Sequence, residues 1–198
     1  MAELFAKILG AAMDSGPDLI LTTGAVSKGR FDFVTAALSD AGAKPIFHGV
    51  AIRPGKPILA ASFEGGPLVL GLPGNPVSTV VGFRFFVAAV LRCWLGLSPE
   101  GPLKLALSQT VDKPEGLRCF FKARIEAASG AWSARALPGQ ASFQVSPLVE
   151  ANGWVVLPEA GERARAGSEV DAFPWLPQET PFPAVAKLRH PAARSVRS

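Results

Sequence analysis

The octapeptide GLPGNPVS at residues 71–78 closes one apolar run and opens another, and RPGKP at residues 53–57 stands shortly before it. Together they describe an anion site. Residues 67–72 (PLVLGL) read as a short buried strand and residues 77–97 have helical length, so the octapeptide lies where a strand gives way to a helix. Asn75 is then the N-cap and Pro76 the first helical residue, where a missing N–H costs nothing. The free N–H groups of Val77 and Ser78 would point back into the loop, and such a helix start attracts phosphate or another oxyanion. Gly71 and Gly74 allow close backbone approach, while Arg53 and Lys56, on either side of Pro54 and Gly55, can bring two cations to the same rim.

A third loop, TTGAVSKGRFDF at residues 22–33, also follows an apolar run. Gly24 and Gly29 give it backbone freedom, and Thr22, Thr23 and Ser27 offer hydroxyls to an anion or to the polar ring of a ligand. Asp32 is its carboxylate. At a helix start Asp32 can act as a cap or a partner of the helix dipole; beside substrate phosphates it can hold Mg2+, which takes one or two carboxylates. Taken alone, Arg53 and Lys56 suit a solvated turn as well as a ligand, and GLPGNPVS suits a capped turn. The octapeptide contains neither a P-loop nor GxGxxG, so no general nucleotide motif applies.

The elements that must position these loops follow from periodicity. Leu4, Phe5, Ile8, Leu9 and Ala12 repeat at helical spacing, which predicts a helix over residues 3–13 ended near Gly16 and Pro17. A strand over 18–23, a helix over 32–39, strands in KPIFHGVAI and PILAASF, an EGGP turn and the strand PLVLGL come next. Strands alternating with helices predict an α/β layer with a largely parallel sheet, whose carboxyl ends would gather the three loops. After Leu97 the run LSPEGP breaks the pattern, and short segments rich in β formers follow, among them RCFFKARIEA, QASFQVS and NGWVVLP. These predict a small β-barrel or sandwich. The expected organisation is an α/β domain over 1–98, a β-barrel domain over 99–177 and a disordered basic tail over 178–198.

Composition excludes several classes. The chain has 198 residues, 48% of them hydrophobic, enough for a sizeable core, and a net charge of +4. Lys187, Arg189, Arg194 and Arg197 fall after the last acid, Glu179, and without them the remainder is near neutral. No basic stripe marks the body, so nucleic acid is not an expected partner. Residues 77–97 approach membrane-spanning length, but Arg84 and Arg92 interrupt them and predict a core helix. The N-terminal residues lack a signal-peptide pattern, which makes the cytoplasm the default. Cys93 and Cys119 lack metal-ligand spacing and read as buried, reduced thiols, and the four tryptophans read as core. His48 stands alone in a strand, as a core or edge histidine does. Ser142, Ser146 and Glu150 suit a ligand lining or an exposed loop.

In this order and spacing, TTGAVSKGRFDF, VAIRPGKP and GLPGNPVS resemble the third domain of the MoeA-type molybdopterin molybdenumtransferases, the family that includes the gephyrin E domain. QASFQVSPLVEANGWVVLPEAGERARAGSEVDAF resembles that family's C-terminal β-barrel domain. The resemblance implies a Rossmann-like layer and Mg2+-dependent insertion of molybdate into adenylylated molybdopterin with release of AMP. Asp32 matches the family's acidic residue, Arg53 and Lys56 its basic positions, and Pro73 and Pro76 the two prolines of its substrate loop. Ala25 and Lys28 depart from the usual loop residues. The resemblance also implies a homodimer, two further domains and an opening β-α-β segment ahead of the matched region, and therefore incomplete activity for these residues alone. A non-catalytic molybdopterin-binding or scaffold module is the alternative.

Overall fold

A computed structural model describes residues 2–25, 33–128 and 131–177. The first layer is a sheet of β1 (Leu19–Thr23), β2 (Lys44–His48), β4 (Leu59–Ser62) and β5 (Leu68–Leu72), in the order β1-β5-β4-β2. Helices α1 (Ala2–Asp14) and α2 (Phe33–Asp40) cover one face. Phe5, Leu9 and Met13 repeat every four residues along α1 and, with Val34 and Leu38 of α2, pack on Leu59, Ala61 and Val69. The alternate strand residues Ala60, Leu70 and Leu72 face the other way, against Val87 of α3 (Pro76–Trp94).

The sheet is mixed where the sequence predicts a largely parallel one. β1 runs parallel to β5, but β4 is antiparallel to β5 and β2 to β4. The reason is the short turn over residues 63–67, in which the Phe63 N–H donates to the Pro67 carbonyl at 3.2 Å. A connection this tight can only reverse the chain, since a parallel pair needs a crossover of a dozen residues or more.

The second layer is a closed barrel. β6 (Leu103–Leu107), β8 (Arg118–Ala128), β9 (Ala131–Ala136), β10 (Gly153–Leu157) and β12 (Glu169–Pro174) join in the ring β10-β12-β6-β9-β8, which the β8–β10 pairing closes. Its interior holds Leu107, Ala123, Ile125, Ala134, Val155, Leu157 and Ala172. Two short strands, β7 (Val111–Asp112) and β11 (Arg163–Ala164), pair beside it, and α4 (Pro147–Glu150) precedes β10. β3 (Ile52–Arg53) leaves the first layer and pairs parallel with β8 through Ile52–Arg118 and Arg53–Cys119.

The two layers share a core of Ile52, Ile58, Val77, Val81, Phe120, Trp154 and Val156. Phe85 of α3 reaches across, with ring centroids 4.5 Å from Phe120, 5.4 Å from Phe173 and 6.1 Å from Trp154. Trp154 is fully buried and stacks on Trp175 at 4.9 Å.

α3 is long and apolar enough to cross a membrane by length and composition. Its packing between the layers fits a core helix, and one π-helical turn, Phe83–Val87, interrupts it. Arg84, only 5% exposed, pairs with Glu100 at 2.7 Å and donates to the Pro174 carbonyl at 3.1 Å. Two sequence expectations fail at the end of α3. Cys93 and Trp94 are exposed, because the last turn passes beyond the sheet; Cys119 is buried as expected, and both thiols are free.

Candidate functional site

The three loops do meet at one end of the first sheet, through a different arrangement from the parallel one. β1 and β5 finish there in register, Thr23 opposite Leu72. β4 starts there, Leu59 opposite Gly71, so RPGKP enters the sheet beside the octapeptide where an antiparallel strand begins. The Gly24 N–H donates to the Leu72 carbonyl at 2.9 Å. A Cβ on Gly74 would sit 3.3 Å from the Gly24 Cα, so Gly74 is the residue that lets the first and third loops touch.

RPGKP is a compact turn. The Val50 N–H donates to the Lys56 carbonyl at 2.8 Å, and the Ile58 N–H to the Gly55 carbonyl at 3.1 Å. Gly55 has φ 115°, a backbone closed to most side chains, and Ile52 packs directly beneath it. Arg53 and Lys56 are both exposed. They do not share one environment among the contacts seen: Arg53 belongs to β3 and lines a cavity of about 330 Å³ with Gln109, Cys119, Phe120 and Gln140, and no residue of the octapeptide lines it. Burial pushes the Cys119 thiol above the usual range, and Lys113 and Arg53 pull it part of the way back.

Helix α3 starts as the sequence predicts, with Asn75 as N-cap and Pro76 in the first turn. Its free donors do not behave as expected. The Val77 N–H is taken by the Ser142 carbonyl of the barrel at 3.0 Å, and the Asn75 amide donates to Ser142 Oγ at 3.1 Å instead of capping the helix. The capping bond is absent because the Asn75 side chain turns to the barrel. Thr79 ties the loop from below: its N–H donates to the Asn75 carbonyl at 2.9 Å, and its hydroxyl to the carbonyls of Asn75 and Pro73. Pro73 and Ser78 are buried, Thr23, Gly74, Asn75 and Pro76 exposed.

Ser27 and Asp32 lie outside the described residues. Among the described residues, no three His, Cys, Asp or Glu side chains come together as a metal-binding group. Among the described residues this end of the sheet offers the exposed Lys56, the hydroxyl of Thr23 and backbone amides, while Arg53 stands at the neighbouring cavity. That donor set suits an anion, and it does not by itself fit Mg2+. Among the described residues the Thr22 hydroxyl is buried without a hydrogen-bond partner.

Sequence reasoning left Ser142 undecided and passed over Lys122 and Gln140. Lys122 is fully buried, and its ammonium donates to the carbonyls of Gly139 at 2.6 Å, Gln144 at 2.9 Å and Ala141 at 3.4 Å. Gln140 brackets the Lys122 backbone, accepting from its N–H at 3.0 Å and donating to its carbonyl at 2.9 Å. A lysine in a strand of β formers carries no local signal of this.

A mixed α/β layer that gathers glycine- and proline-shaped loops at one sheet end, joined to a closed five-stranded barrel, defines the class as a two-layer α/β-plus-barrel protein. Residues 2–92 match a family described as a probable molybdopterin binding domain, and residues 104–175 match the MoeA C-terminal region (domain IV). The chain belongs to the MoeA-type molybdopterin molybdenumtransferase family. It is 44% identical over 170 residues to the molybdopterin molybdenumtransferase of Synechococcus elongatus, covering 85% of this chain and 41% of the relative. It is 32% identical over 158 residues to that of Bacillus subtilis, covering 79% and 36%. The molybdopterin biosynthesis MoeA protein of Pyrococcus horikoshii superposes with a TM-score of 0.69 at 25% identity, over 88% of this chain and 41% of that one. The chain therefore spans about two-fifths of the length of these relatives.

Proposed function

We propose that this chain acts in molybdenum cofactor biosynthesis, where it supplies one wall of a site for adenylylated molybdopterin and molybdate. The reaction is the Mg2+-dependent insertion of molybdate with release of AMP. The observation that carries this reading is the meeting of the three loops at one sheet end, Leu59 opposite Gly71 and Thr23 opposite Leu72, in a chain of this family. Molybdate and the pyrophosphate bridge are both anions. Lys56 and Arg53 would hold them, the backbone around Gly24, Gly55 and Gly74 would let them approach closely, and Thr23 and Ser27 would add hydroxyl donors. Asp32 would hold the Mg2+. Pro73, Asn75, Pro76 and Ser78 shape the loop that faces the substrate.

The domain division near residue 98, a homodimeric assembly and a cytoplasmic location belong to the same proposal. The relatives are more than twice as long as the region they share with this chain, and segments of that additional length would supply the rest of the site.

The test is direct. The purified 198-residue chain is mixed with adenylylated molybdopterin, molybdate and Mg2+, and binding and AMP release are both followed. The expected result is binding with little turnover, and Lys56→Ala weakens binding about tenfold, the usual worth of one charge-assisted hydrogen bond. Brisk AMP release by the chain alone would overturn the one-wall reading. No binding of pterin or molybdate, with Lys56→Ala changing nothing, would overturn the site.

A further inference from the structure

The barrel does more than sit beside the candidate site. Its segment over residues 137–144 is attached to β8 at a single residue, Lys122. The main chain is held twice by Gln140 and once more by the Leu137 N–H, which donates to the Lys122 carbonyl at 2.9 Å. The side chain is held by the carbonyls of Gly139, Ala141 and Gln144. An ammonium group has three N–H donors and no acceptor, so these carbonyls use its full capacity. With no exposed surface, Lys122 has nothing left to offer a ligand.

The same segment carries Ser142, whose carbonyl and hydroxyl receive the Val77 N–H and the Asn75 amide. The chain of contacts thus runs from Lys122 through Ser142 to the octapeptide, and from Gly74 on to Gly24. We propose that Lys122 is a positioning residue: it gathers three carbonyls of the barrel segment so that Ser142 meets the start of α3 and holds the octapeptide in its anion-facing shape. A cation is required because three carbonyl oxygens aimed at one point repel each other without it. A neutral apolar replacement leaves three buried acceptors unpaired, and the segment must then open to recover hydrogen bonds. Burial lowers the Lys122 pKa from the usual lysine value, because desolvation disfavours the ammonium, and the three carbonyls are the groups that face its charge.

This inference rests on the proposed reading of the site for its functional consequence, and the two can fail separately. The test compares wild type, Lys122→Met and Lys122→Arg in the full chain. Two quantities are read: hydrogen exchange at the Val77 amide, and molybdate affinity by calorimetry. Lys122→Met is expected to speed Val77 exchange at least about tenfold and to weaken molybdate binding about tenfold, while amides of β6 and β12 keep their protection. Lys122→Arg, which keeps the charge, should recover most of both.

A folded Lys122→Met chain with unchanged Val77 exchange and unchanged affinity would overturn the proposal. So would equal loss of binding in both variants with Val77 still protected. If Lys122→Met does not fold, the wild type decides: a Val77 amide exchanging as fast as an unpaired helix-start amide overturns the clamp, and one protected like the Leu137 amide supports it. Failure of the wild type to bind molybdate would overturn the reading of the site, and Val77 exchange would still decide the clamp.

Discussion

The barrel and the α/β layer solve the problem of burial differently. The barrel closes on itself through β8 and β10, so its five strands have no free edge, and its apolar residues point into one interior. The α/β layer stays open. β1 is an edge strand with Leu21 exposed; Leu4 and Ile8 of α1 face outward, and so do Phe83, Leu91 and Trp94 of α3. The difference teaches where each half draws its stability. The barrel is self-contained, whereas the α/β layer leans on the shared core around Phe85 and Trp154.

The largest expected effect comes from breaking that shared core. Trp154→Ala removes a fully buried ring that stacks on Trp175 and meets Phe85, and should cost about 4 kcal/mol in urea unfolding. If the comparison holds, the two halves also separate, and fluorescence and far-UV dichroism report different midpoints. A single coincident transition would show that the α/β layer stands without this support.

Next comes the buried ion pair at the same seam. Glu100→Ala strands the Arg84 guanidinium, which is 5% exposed and lies 4.9 Å over the Phe85 ring, and should cost about 3 kcal/mol. Replacing Lys104, whose partner Asp171 is on the barrel surface, should leave the unfolding midpoint unchanged, because both groups are exposed and screened.

The smallest effect concerns reactivity and leaves stability untouched. At pH 8 a thiol reagent should label Cys93, exposed on α3, and leave Cys119 unlabelled until the chain unfolds. Burial holds the Cys119 thiol protonated above its ordinary range, so raising the pH past that range is the first condition in the folded state expected to bring it into reaction. Rapid labelling of both at pH 8 would show that the barrel end near Arg53 opens.

Much of this was readable from local pattern. Four-residue apolar spacing marked α1, and Asn75-Pro76 marked the start of α3, because both signals come from neighbours along the chain. The strand direction was misread at β4, which runs against β1, β2 and β5 because the EGGP turn outweighs the alternation of strands and helices. The exposure of Cys93 and Trp94 was misread because an apolar sequence records composition and cannot record where the sheet beneath it ends.

The sequence by itself determined the family, through three short loops whose glycines and prolines constrain the backbone wherever they stand, and it determined that the second half would be built of short strands. Only the tertiary structure decided which donors the octapeptide keeps. The Val77 N–H goes to the Ser142 carbonyl, and the Ala141 and Gln144 carbonyls on either side of Ser142 go to Lys122, across gaps of 65, 19 and 22 residues that no local pattern spans. A hydrogen bond is set by where two groups end up in space, and that position is fixed here by the closure of the barrel and the core it shares with α3.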